Sequence, residues 1–166
     1  MIGVSYTMSD LLRKFRDDIK NSTEISDWCT ATYGSSFMLG IGADERREWG
    51  ISDAPFGVII PSSISSGVSQ SQLAFTFDID LGIHQTDVSD YNTVGVEEMK
   101  GVYELDELSN LVINVLRNAA SGYNAVADFV SVSLDNSTFF PLHVATLTVT
   151  VQSDHLIGGQ FIGLGG

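Results

Sequence analysis

LAFTFDIDLGIHQTD (residues 73–87) places large apolar residues at odd positions, namely Leu73, Phe75, Phe77, Ile79, Leu81 and Ile83. Small or polar residues, Ala74, Thr76, Asp78, Asp80, Gly82 and His84, occupy the even positions. A period of two is that of a strand with one buried and one wet face. The stretch therefore predicts a long strand whose odd residues are core. Two carboxylates and an imidazole then share its other face, and the rest of the sequence must decide whether they form a site.

Residues 129–134 (FVSVSL) and 140–152 (FPLHVATLTVTVQ) alternate in the same way, with Asp135, Asn136 and Ser137 expected to turn between them. In the second run Val144, Thr146, Thr148 and Thr150 face opposite to Leu147, Val149 and Val151. FGVII (56–60), between Pro55 and Pro61, has the length and composition of a buried strand, and FMLGIG (37–42) reads as a short one.

Two segments have the other period. From Asp10 to Lys20, Leu11, Leu12, Phe15 and Ile19 recur at helical spacing behind Ser9 as a cap. Arg13, Lys14, Arg16 and Lys20 make this the one basic element. From Glu104 to Ala120, Leu105, Leu108, Leu111, Val112, Val115 and Leu116 form a second stripe, with Gly122 as its stop. Residues 26–32 (SDWCTAT) read equally well as a short helix or an irregular segment. Residues 43–55 and 88–101 are expected to be polar loop and turn. The expected fold is α+β: a single antiparallel/mixed β-sheet flanked by two main α-helices. One domain spans residues 1–166, with a core over 8–152, a serine-rich arm at 62–72 and a C-terminal tail at 156–166.

The composition narrows the function. The 166 residues hold 21 acids and 8 bases, a net charge of −13 that repels phosphate backbones. Cys29 is the only cysteine, so neither an internal disulfide nor a cysteine metal cluster can form; it reads as a buried structural thiol. No leader pattern and no apolar run of membrane-spanning length stands out, and a soluble protein is expected.

Three candidate sites can be built. Asp78, Asp80 and His84, joined by His143 from the last strand, are metal-ligating types. Along a strand, however, Asp78 and His84 lie about 20 Å apart and cannot share an ion. A serine nucleophile lacks any G-x-S-x-G setting. The glycines of LIGGQFIGLGG (156–166) follow the last strand with no helix behind them, so they are no phosphate loop. Trp28, Tyr33, Trp49 and Phe56 suggest an aromatic cluster of the kind that fills cores. No catalytic, cofactor-binding or metal residue is assigned.

LLRKFRDDI, then DAPFGVIIP, LAFTFDIDLGIHQTD, ELDELSNLVINVLRNAA and HVATLTVTVQ follow one another in a layout that resembles the tail terminator (tail completion) proteins of long-tailed bacteriophages and related viruses. The similarity is one of order and texture over residues 8–152, without an invariant motif. It implies a non-enzymatic virion protein forming a homo-hexameric ring at the head-proximal end of the tail. The ring would stop polymerisation of the tail tube protein, join the head–tail connector proteins and let DNA pass through its lumen. The assembly surfaces expected on this basis include Arg13, Arg16, Ile64, Val68, Asp78, Asp80, Phe161, Ile162 and Leu164. A head-closure or connector protein and a tail tube subunit are sibling alternatives. A small metal-dependent hydrolase using Asp78, Asp80 or His143 is the alternative of another class.

Overall fold

The computed structural model describes residues 7–42, 49–66, 73–90, 95–121 and 127–153. The first helix, α1 (Met8–Lys20), starts two residues earlier than the Ser9 cap implied. Thr7 is the cap: its Oγ1 accepts the Asp10 N–H, and the Asp10 carboxylate accepts the Thr7 N–H. This reciprocal pair satisfies two donors that a helix start leaves orphaned. The Thr7 backbone N–H and hydroxyl hold the Asp10 carboxyl below its ordinary pKa. Leu11, Leu12, Phe15 and Ile19 are buried, as their spacing requires.

The ambiguous segment is a helix, α2 (Thr23–Tyr33), giving three helices where two were expected. Its stripe is thin, only Ile25 and Cys29 being buried, and its ends are set locally. Ser22 caps the start, and Gly34 at φ 66° ends it in the left-handed region, its N–H bonded to the Thr30 carbonyl.

The strands are β1 (Met38–Ile41), β2 (Phe56–Ser66), β3 (Leu73–His84), β4 (Val88–Asp90), β5 (Glu97–Met99), β6 (Ala127–Phe139) and β7 (Leu142–Ser153). They make a mixed five-stranded sheet in the order β1-β2-β3-β7-β6 and a separate two-stranded ladder of β4 with β5. β1 runs parallel to β2, and every other pairing is antiparallel. The last helix, α3 (Lys100–Ser121), starts four residues before the expected Glu104. Gly122 lies outside the described residues.

The expected turn at Asp135, Asn136 and Ser137 is corrected. All three stay in the β6 ladder, opposite Thr146, Ala145 and Val144, and the chain reverses at Phe140 and Pro141. β2 likewise continues to Ser66, with Ser62, Ser63 and Ile64 exposed, so that part of the expected arm is strand.

The core lies between one face of the sheet and the helices. Phe75, Phe77, Ile79, Leu81 and Ile83 of β3 and Ala145, Leu147, Val149 and Val151 of β7 pack under Leu105, Leu108, Val112 and Leu116 of α3 and the stripe of α1. The Phe15 and Phe77 rings lie 5.2 Å apart. Burying each such side chain stabilises the fold by about 1.5–3 kcal/mol.

Candidate functional site

On the opposite face of the sheet, cross-strand partners form three rows: Val58–Asp80–Thr146, Ile60–Asp78–Thr148 and Ser63–Thr76–Thr150. Thr146 Oγ1 donates to Asp80 Oδ1 at 2.6 Å, and Thr148 Oγ1 donates to Asp78 Oδ1 at 2.7 Å. The Thr76 and Thr150 hydroxyls meet at 3.2 Å. Pairs of this kind contribute about 0.2–1 kcal/mol each. Both aspartates are half-buried, and among the described residues each is met by a hydroxyl rather than a base. Two carboxylates about 7 Å apart on one strand keep this face negative.

The face turns apolar at one end. Trp49 packs on Phe56 with ring centroids 5.5 Å apart, and Phe56 and Val58 are buried. Glycine makes this stacking geometrically accessible. A Cβ on Gly82 would lie 2.2 Å from the Phe56 ring, and one on Gly40 would lie 2.6 Å from Trp49. The expected four-residue aromatic cluster is thus two pairs on opposite sides of the sheet. Trp28 and Tyr33 of α2 form the other, edge to face at 5.6 Å.

The metal-type constellation does not assemble. His143 lies opposite Ile83 in the ladder and is buried on the helix side, away from Asp78 and Asp80. Its odd position, shared with Ala145 and Leu147, carries that signal. Among the described residues no three His, Cys, Asp or Glu side chains come together as a metal would need.

Of the expected assembly residues, Arg13 is exposed on α1 and Arg16 holds Asp17 at 2.6 Å. Ile64 is exposed on β2. Val68, Phe161, Ile162 and Leu164 lie outside the described residues.

One polar cluster was not read from the sequence. Glu104 of α3, only 6% exposed, accepts hydrogen bonds from Tyr33 Oη at 2.6 Å and Gln85 Nε2 at 2.9 Å. Lys100 Nζ lies 3.3 Å from its other oxygen. Trp28 Nε1 donates to Glu107 at 2.9 Å, so two carboxylates of α3 hold α2. No sequence period announces such a joint, because its members lie up to 79 positions apart. Its geometry is that of a structural clamp: burial, then the bond to Glu104, push the Tyr33 hydroxyl well above the ordinary phenol pKa and keep it a donor.

Alkaline conditions should expose this burial. Burial also pushes the Cys29 thiol up to about 12. Above about pH 9 the unfolded chain releases the thiol proton and, near pH 10, the phenol proton, while the folded chain keeps both. The folded state then binds more protons, so stability is intact below pH 9 and falls as pH rises. Each group adds a slope of about 1.4 kcal/mol per pH unit. Urea unfolding between pH 8 and 11 should show the decline, and Cys29→Ala should flatten its first part. A flat profile would mean that both groups titrate freely in the fold.

No protein-family model and no curated protein matches the chain.

Proposed function

We propose that the chain is a ring-forming structural subunit of a viral tail, placed at the head-proximal end, where it stops tail tube growth and joins the head connector. The observation that supports this most is the division of the sheet. Its apolar face is covered by α1 and α3, while its other face offers a pair of carboxylates tethered by threonine hydroxyls. A surface of that kind suits contact and passage: with a net charge of −13, DNA slides by without adhering. Arg13 on α1 places positive charge on the helical side, where an acidic neighbour can dock, while Arg16 is already paired with Asp17. The 22-residue α3 favours a terminator over a tube subunit.

Native mass spectrometry and electron microscopy of the purified protein, alone and with tail tube protein, test the proposal. Hexameric rings that shorten or cap the tubes are expected. A species that stays monomeric with tube protein present, and leaves tube length unchanged, would sink it.

A further inference from the structure

Among the described residues, the only buried side-chain nitrogens or oxygens without a hydrogen-bond partner are Nδ1 and Nε2 of His143. Buried polar groups are otherwise almost always paired, so this orphan calls for an explanation. The ring is the second residue of β7, opposite Ile83 of β3 and Thr138 of β6. Gly101 of α3 closes over it from the helix side, and Phe140 stands edge-on to it at 6.3 Å. No acceptor waits for a second ring proton. α3 brings Lys100 and Glu104 to this end, one a cation and the other already occupied. Oε2 of Glu104 accepts from Tyr33 and Gln85, and its Oε1 lies 3.3 Å from Lys100 Nζ. Asp87, past the end of β3, is exposed and lies 3.8 Å from the same ammonium. The charged residues of β3 and β6, namely Asp78, Asp80, His84, Asp128 and Asp135, all stand in register with even positions of β7, the set on the other face.

We infer that His143 is an acid-operated latch: a proton on its ring releases the start of α3 from the sheet. Neutral, the imidazole packs as a flat ring. Charged, it needs an acceptor or water, because an unpaired buried charge costs far more than an unpaired neutral group. β7 gives no access, since it is laddered to β3 and β6 along its whole length. The α3 start can give it. Gly101 covers the ring without a side chain, and the backbone tie there is the Lys100 N–H on the Asp87 carbonyl. Phe140, beside the ring, is 49% exposed, so water stands close by. In the open state an imidazole takes its proton near pH 6.5, as any exposed histidine does. The open state then binds more protons than the closed one and gains population as pH falls. For one proton its population rises about tenfold between pH 7.5 and 5.5. The latch lies within one chain, so its failure would leave the ring proposal untouched.

Amide hydrogen exchange of the full-length chain at pH 7.5 and 5.5, corrected for the intrinsic pH dependence of exchange, tests the latch. Lys100 and Leu105 should lose protection about tenfold on acidification, while Phe15 and Ile19 of α1 keep theirs. His143→Leu should abolish the response; His143→Gln, also without a titrating ring, serves where leucine does not fold. His84→Gln/His155→Gln removes the chain's other two histidines and should leave the response intact. In that double variant His143 is the sole imidazole, so its ring resonances report its protonation directly and should change together with the loss of protection. A ring that gains its proton while Lys100 and Leu105 stay protected would overturn the inference. So would protection that ignores pH, or a loss that persists undiminished without His143. Protection that rises in acid would overturn it too, since Glu104 would then have turned to pair with the ring.

Discussion

Replacing Glu104 by alanine is expected to lower the free energy of unfolding by about 2–4 kcal/mol. The carboxylate is almost wholly buried and accepts from Tyr33 and Gln85, which come from α2 and the segment just past β3. Removing it leaves a phenol and an amide short of an acceptor, at about 1–3 kcal/mol each when they stay buried. The Lys100 ammonium adds little, since its side chain is about half exposed and can return to water. Glu104→Gln keeps one carbonyl acceptor and should lose less. Urea unfolding followed by Trp28 fluorescence reads both effects, because Trp28 is tied to the same helix through Glu107. If alanine costs under about 1 kcal/mol, the Glu104 joint is solvated and α2 is held by Ile25, Cys29 and the Trp28–Glu107 bond.

That joint marks where the sequence stops being legible. The β3 strand could be read because its alternation spans twelve residues and the odd side chains from Phe75 to Ile83 are buried. The stripe of α1 could be read for the same reason at helical spacing. α2 could not, since two buried side chains make no period, and what fixes it lies in Ser22, Gly34 and two distant carboxylates. Asp135, Asn136 and Ser137 read as a turn by residue type, yet twelve paired residues of β7 keep them extended. Pairing across a long ladder outweighs the turn preference of three residues. The carboxylate row of Asp78 and Asp80 was visible as a wet face, while its tethering by Thr146 and Thr148 needed the register of β3 with β7. The position of His143 was available from parity alone. It shares the odd set with Leu147 and Val149, and that set is buried.

Gly101→Ala should destabilise the fold by about 1–3 kcal/mol, although alanine is intrinsically the better helix former by up to about 1 kcal/mol. The reason is the close approach of α3 to β7. A Cβ on Gly101 would lie 2.3 Å from both Cδ2 and Nε2 of His143. His143 is 1% exposed, and neither ring nitrogen has a hydrogen-bond partner among the described residues, so the ring is fixed by packing on every side. Overpacking cannot be relieved by a small side-chain swing there, in contrast to Gly40, whose neighbour Trp49 is only half-buried. A double-mutant cycle isolates the contact. His143→Ala alone forfeits packing, but in combination it makes room for the new methyl, so the pair should cost at least about 1 kcal/mol less than the sum. A neutral or stabilising Gly101→Ala would show that helix propensity wins and that the helix start can lift from the sheet.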